Sequence, residues 1–340
     1  MKKIVLGVIG AGRIGKLHVD NIQRYLPQFK IKSIADPELD EQWAKERDIA
    51  VTLRDPDLLI NDPEIQAVLI CSPGELHIPQ IVASARKGKD IFCEKPISSD
   101  IEQIKIALKE VKKANVKLQI GFNRRFDPNF AKIKQMVQNQ EIGVPHLLRI
   151  TSRDPEIPPR SYIHASSGMF LDMTIHDFDM ARFLLNNEID EIYASGNVLI
   201  DPIFKTINDL DTAIVSLKFA NGALGIIDNS RQAVYGYDQR VEVFGNGGAV
   251  HAENNRQTNT VLSNQHGIVS EKPLYFFLER YKESYIAEMQ AFYNSIAHNK
   301  PIAVTGYDGL MSVVIGTAAN KSHRENRPVK INHEEWSEFV

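Results

Sequence analysis

The sequence predicts an α/β fold in two parts. The first is a doubly wound parallel sheet, and the second an α+β domain with a large, mainly antiparallel open sheet. Through residue 121, short β-branched runs alternate with longer amphipathic ones. From residue 191, strand-like runs follow one another across tight turns, with no helix between them. The length of 340 residues also suits two domains of about 150 residues or somewhat more each. The expected division is 1–121 and 122–340.

In the first part Ile4–Ile9 reads as a strand and Arg13–Leu26 as a helix stopped by Pro27. Further strands are expected at 31–35, 50–53, 67–71, 90–93 and 116–121, with helices at 41–47, 77–87 and 101–114. Strands alternating with helices imply parallel pairing and right-handed crossovers. After Gly121, residues 130–139 read as helical, 146–152 as extended and 170–185 as a long helix. Strands follow at 191–199, 212–219, 223–230, 239–244 and 249–252. Asn221-Gly222 and Gly245-Asn246-Gly247-Gly248 supply the turns. Residues 283–297 and 307–319 read as closing helices. Residues 213–219 alternate less cleanly than a fully solvated outer sheet face requires. The expectation is therefore a homo-oligomer, dimer or tetramer, formed through this sheet.

Composition narrows the function. Hydrophobic residues make up 43% and charged residues 24%, as in soluble globular proteins. Forty Lys and Arg against 43 Asp and Glu leave a net charge of −3, which argues against a nucleic-acid partner. No apolar run approaches the roughly 18 residues of a membrane span. Lys2-Lys3 before Ile4–Gly10 imitates a leader peptide, but the apolar stretch is short, contains glycine and runs into Arg13 and Lys16, so it reads as a strand. Two cysteines, Cys71 and Cys93, make no disulfide framework. They read as buried small hydrophobes in a cytoplasmic protein. His164, His176 and His251 lack compact ligand spacing, and no metal is expected.

Gly10-Ala11-Gly12-Arg13-Ile14-Gly15 fits G-x-G-x-x-G between a strand and a helix, the context that gives the pattern its meaning. Gly10 permits the tight turn, Gly12 the approach of a pyrophosphate, and Gly15 close helix–strand packing, so this is a Rossmann dinucleotide site. Asp36 ends the second strand, 21 residues after Gly15. A carboxylate there accepts ribose hydroxyls and repels a 2′-phosphate, and Pro37-Glu38 follow it rather than an arginine. The expected cofactor is NAD.

Two more segments fall at carboxyl ends of strands, where open α/β sheets bind ligands: Ser72-Pro73 with His77, and Glu94-Lys95-Pro96. Together with the glycine pattern and Asp172-x-x-x-His176, they resemble the Gfo/Idh/MocA oxidoreductase family along essentially the whole chain. The segments 121–127 and Tyr235-Gly236-Tyr237-Asp238 resemble its bacterial inositol 2-dehydrogenases most. The resemblance implies hydride transfer from a secondary hydroxyl of inositol to NAD, myo-inositol giving 2-keto-myo-inositol. A related sugar or cyclitol dehydrogenase and a non-catalytic NAD-binding regulator are the alternatives.

Such a reaction needs a base for the hydroxyl proton and positive charge beside the oxygen. His176 suits the first role, with Asp172 on the same helix face four residues earlier to orient it. The resemblance makes Lys95 the electrostatic stabiliser and proton relay, and Lys95-Pro96 a cis peptide. It also adds Ser72, Pro73, His77, Glu94 and Lys95 to the cofactor contacts. A polyol needs convergent donors and acceptors, for which Asn123, Arg125, Asp154 and Tyr235 (with Tyr237 beside it) are the candidates. Arg125 and Asp154 read equally well as a surface salt bridge. The proline-rich, acidic loop 154–159 departs from the family pattern.

Overall fold

A computed structural model describes residues 3–339; Lys2 of the leader-like start lies outside them. In chain order the first elements are β1 (Ile4–Ile9), α1 (Arg13–Tyr25), β2 (Phe29–Ala35), α2 (Glu41–Lys45), β3 (Val51–Leu53), α3 (Pro56–Ile60), β4 (Ala67–Ile70), α4 (His77–Arg86), β5 (Asp90–Glu94), α5 (Ile101–Ala114) and β6 (Leu118–Gly121). Next come α6 (Pro128–Gln138), β7 (Pro145–Arg153), α7 (Arg160–Ala165), α8 (Ile175–Leu185), β8 (Ile189–Asn197), α9 (Ile203–Thr206), β9 (Thr212–Phe219), β10 (Leu224–Ser230), β11 (Asp238–Gly245) and β12 (Gly248–Ala252). The chain closes with β13 (Val261–Asn264), β14 (Gly267–Ser270), α10 (Phe277–Arg280), α11 (Lys282–Ala297), α12 (Gly306–Glu325) and β15 (Val329–Lys330).

The first sheet has the order β3-β2-β1-β4-β5-β6, all parallel. Its central strands are buried on both faces, which is why β1 and β4 read as unbroken apolar runs. The order steps outward in both directions from the β1–β4 pair, so the crossovers cover opposite faces of the sheet.

The chain forms two compact units, and the first is not contiguous in sequence. Residues through Asn123 group with Glu283–Val313 and with the chain end from Ser337. A division at 121/122 that assigns everything later to one domain does not describe this. The reason lies on α11, whose Met289, Phe292 and Tyr293 are buried in one core with Leu6, Val8, Leu69 and Phe92. The Phe292 ring sits edge-on to Phe92 at 5.8 Å, and Tyr293 edge-on to Phe29 at 5.6 Å. Helical periodicity reveals that α11 has an apolar face, but not which sheet that face covers.

The second unit spans Arg124–Lys282 and Val314–Trp336. Its seven-stranded sheet runs β12-β11-β7-β10-β9-β8-β15, antiparallel except for the parallel pair β7–β10. The inner face buries Leu148, Ile150, Val215, Leu217, Ile227, Val241 and Val243. Contrary to the sequence reading, β9 alternates strictly: Ala213, Val215, Leu217 and Phe219 are buried while Ile214, Ser216 and Lys218 are exposed. What distinguishes the outer face is its chemistry, since Leu147, Ile214, Leu224, Ile226 and Phe244 all lie exposed on it. Gly222, at φ +88°, turns β9 into β10 as the Asn-Gly signal requires. The exposed β13–β14 hairpin has no counterpart in the sequence reading.

Phe292→Ala tests whether α11 belongs to the first core. Emptying this buried site should cost about 3–5 kcal/mol in urea unfolding. A loss below about 1 kcal/mol would separate α11 from that core.

Candidate active site

The turn from β1 into α1 leaves no room for side chains at two points. Gly10 has φ +94°, and a Cβ on it would lie 2.6 Å from the Cys71 carbonyl and the Ser72 nitrogen. A Cβ on Gly15 would strike the Gly10 carbonyl oxygen. Gly12 is different: nothing lies within 4 Å of where its Cβ would be. Gly12 is also the N-cap of α1, and no side chain caps that end. The first N–H groups of the helix therefore face open space with the positive end of the helix dipole behind them. This cradle fits the pyrophosphate of a dinucleotide.

Asp36 is tied into the same turn. Its Oδ2 accepts the Ala11 N–H at 2.6 Å and its Oδ1 the Glu38 N–H at 2.8 Å. A carboxylate has about four lone-pair sites, so acceptor capacity remains for ribose hydroxyls.

The loops after β4 and β5 are held to each other. Ser72 Oγ donates to Gln80 at 2.6 Å. His77, expected as a cofactor contact, is instead buried between two carbonyls: Nδ1 lies 2.8 Å from Pro96 O and Nε2 2.8 Å from Ser72 O. Burial pulls its pKa below the ordinary histidine value, against the two carbonyls. Its role is to brace the Ser72-Pro73 and Lys95-Pro96 segments. The Lys95-Pro96 peptide is cis. Glu94, also expected at the cofactor, turns its carboxylate to His18 Nε2 at 2.7 Å and packs against Gly121, where a Cβ would come within 2.9 Å of it. Asn123 is buried and donates to Ser284 Oγ at 3.2 Å.

In the second unit, residues 170–185 are not one regular helix. Gly168, at φ +82°, opens a π-helical turn over Met169–Met173, and the Thr174 N–H reaches back to Met169 O at 2.9 Å. Asp209 fixes the start by accepting the Met169 N–H at 2.8 Å. Asp172 therefore sits in the wide turn and His176 in the first turn of α8, so their spacing is not the regular helical one. Asp172 accepts from the Tyr162 hydroxyl at 2.7 Å and from Arg231 at 3.3 Å. The other arm of the buried Arg231 reaches Asp154 at 3.4 Å. Burial pushes Asp154 above the ordinary carboxylate range, Asp172 adds to this, and Arg231 opposes both.

His176 is followed by Asp177, fully buried, which accepts from Arg124 at 2.7 Å and from Asn229 at 2.9 Å. The Thr174 hydroxyl donates to Asn229 at 2.7 Å, so both residues flanking Ile175-His176 belong to one network. Arg125, expected among the polyol donors, is bidentate to Asp179 on α8 at 2.6 and 2.8 Å. It is a buried ion pair, because α8 presents that carboxylate with almost no water access. Tyr235 donates to Asp238 at 2.6 Å and accepts from Arg153 at 3.1 Å, while its ring stays exposed. Tyr237 is buried and takes a long bond from Arg124 at 3.4 Å. Tyr162 and Arg231 escaped the sequence reading. Neither stands at a telling interval from Asp172, and only the fold gathers them.

A doubly wound sheet with an open glycine cradle is the frame of a dinucleotide-dependent oxidoreductase, and the second unit carries a histidine and paired carboxylates. Residues 4–122 match the model of the oxidoreductase family with an NAD-binding Rossmann fold, and residues 130–251 that of the GFO/IDH/MocA C-terminal domain. The chain belongs to the GFO/IDH/MocA family. It is 50% identical to an uncharacterized oxidoreductase of Bacillus subtilis, over 99% of both chains. It is 48% identical to the myo-inositol 2-dehydrogenase of Thermotoga maritima, over 96% of this chain and 98% of the other. Among solved structures, scyllo-inositol dehydrogenase of Lactobacillus casei with bound NAD(H) and scyllo-inositol superposes with a TM-score of 0.89 at 31% identity, over 97% of this chain and 99% of that one.

Asp36→Ser should lower the kcat/KM preference for NAD over NADP by roughly tenfold or more, because the charge opposing a 2′-phosphate is removed. Steady-state kinetics with both cofactors checks this, and an unchanged ratio would assign the preference elsewhere.

Proposed function

We propose that this protein is an NAD-dependent inositol 2-dehydrogenase that converts myo-inositol to 2-keto-myo-inositol. The observation that carries the reading is the near-full-length, 48% identity to a myo-inositol 2-dehydrogenase. The retention of Lys95, Asp172 and His176 in one chain supports it. When bound, NAD supplies the hydride acceptor. The cradle of Gly10, Ala11, Gly12, Arg13, Ile14 and Gly15 holds it, with Asp36 at the ribose and Ser72, Pro73 and Lys95 along the strand ends.

In this reading His176 takes the hydroxyl proton as hydride leaves the carbon, and Asp172 orients the imidazole or the substrate. Asp172 can do so because Tyr162 and Arg231 hold both of its oxygens. Lys95 supplies positive charge to the oxygen as its proton departs. Asp154 and Tyr235 are the polyol contacts we favour. A half-buried carboxyl and an exposed phenol, each already bonded to an arginine, are pre-oriented polar groups of the kind a hydroxyl-rich ligand requires. Turnover of a panel of inositols and sugars tests this, and His176→Asn should lower kcat on myo-inositol by about 100- to 10,000-fold. NAD binding without turnover of any polyol would leave a non-catalytic regulator, and faster turnover of an aldose would move the protein to the sugar dehydrogenases.

We further infer a cytoplasmic homo-oligomer. Both cysteines are unpaired, as a reducing compartment favours. No helix among the described residues is long and apolar enough to cross a membrane. The outer sheet face groups exposed Leu147, Leu224 and Ile226 around Arg149 and Glu242, a surface suited to a second copy. Light scattering at micromolar concentration should give a dimer or tetramer, and Ile226→Asp should shift it toward monomer. A wild-type monomer would overturn this.

A further inference from the structure

A second chemical cluster lies inside the first unit, where α1, β5 and α11 converge. His18 on α1 and Glu288 on α11 are wholly buried, and Glu94 at the end of β5 is nearly so. One ligand atom from each lies within 4.8 Å of the others. His18 Nε2 is 2.7 Å from Glu94 Oε1 and 3.9 Å from Glu288 Oε1. Among the described residues, neither Glu288 oxygen has a hydrogen-bond partner, and nor does His18 Nδ1. Among the described residues, the ion pairs of both carboxylates are with His18 alone.

A phenol and two thiols also pack on this cluster. Tyr285 packs edge-on to the His18 ring. Burial pushes the thiols of Cys71 and Cys93 well above their ordinary range, so both stay neutral. Two ionised carboxylates sealed beside one imidazole would be strongly unfavourable. The fold resolves this with one proton: burial first, and then the neighbouring Glu94 charge, raise Glu288 well above the usual carboxylic range. A neutral acid carries one O–H to donate, and the Glu94 carboxylate stands within the same 4.8 Å cluster.

We propose that Glu288 and His18 are positioning residues that close on the Glu94 carboxylate and so hold the end of β5, which bears Lys95 as its next residue. This rests on the reading of Lys95 as the charge stabiliser of the reaction. The cluster explains why Glu94 faces inward. It also gives a role to the histidine that stands on the dinucleotide helix three residues after Gly15.

The test uses the full chain with Glu288→Gln, which keeps the shape and a donor, and Glu288→Leu, which keeps neither. Folding raises the pKa of Glu288. Its contribution to stability is therefore complete below the ordinary carboxylic pKa and is lost as pH rises toward the shifted value. Glu288→Gln has no such proton to lose, so its thermal midpoint should gain on wild type steadily from about pH 5 to about pH 9. Glu288→Leu should lower kcat roughly tenfold with little change in KM for NAD, and Glu288→Gln should restore kcat to within about twofold. A Glu288→Gln midpoint that stays level with wild type or falls behind it as pH rises would overturn the proposal, since Glu288 would then be ionised and paired. A stoichiometric divalent metal in the purified protein would overturn it too, by replacing the proton with a cation. Full kcat in Glu288→Leu would remove the positioning role. Should wild type turn over no polyol, the inositol reading fails, while the pH dependence of the midpoint gap still decides the state of the cluster.

Discussion

The backbone of the β1–α1 turn approaches its own helix so closely that a single methyl group at residue 15 would collide with the carbonyl of residue 10. That contact sets the angle at which α1 leaves the sheet, and so directs its uncapped N–H groups into open space. Asp36 closes the arrangement by taking the Ala11 N–H from the end of the neighbouring strand. The side chain we propose for the ribose thereby stiffens the turn we propose for the phosphates. Binding and rigidity are one property here, because a carboxylate already committed to a backbone donor has little freedom left to lose.

The second unit solves a different problem, that of presenting a histidine and an aspartate from an irregular helix start. A π turn has poorer hydrogen-bond geometry than an α turn and needs outside support. Asp209 holds its first N–H, Asn229 holds Thr174, and Arg231 with Tyr162 holds Asp172. Each of these supports comes from a strand, a helix or a loop outside the turn, so the orientation of Asp172 and His176 depends on the unit being folded.

The parallel sheet was legible because its signals are local: β-branched runs, glycines at fixed intervals, and helices between strands. The glycine cradle and Asp36 were legible for the same reason. The division of the chain was not, because Phe292 and Tyr293 find Phe29 and Phe92 across more than half the sequence. Arg125, Glu94 and His77 each have a partner that the sequence does not announce. A polar residue beside a motif looks available for a ligand until the fold supplies a partner, and here Asp179, His18 and two loop carbonyls do so. The likeness to a family could name Asp172 and His176 but could not show that a π turn lies between them.

Buried charge is abundant in the second unit: Arg124 with Asp177, Arg125 with Asp179, and Arg280 with Asp127 are all nearly inaccessible. Desolvation makes such pairs poor sources of net stability compared with well-packed apolar side chains. Their directional bonds offer something apolar packing cannot, which is a fixed rotation of α8 about its own axis. Asp177 and Asp179 lie two residues apart on that helix, on different faces, and each is held by an arginine from the segment 123–126 that precedes α6. Two such restraints leave the helix little room to turn, and the side chain between Ile175 and Asp177 is the imidazole assigned to take the proton. The pairs are thus best understood as determinants of orientation, with their energetic cost carried by the apolar core of the sheet beneath them.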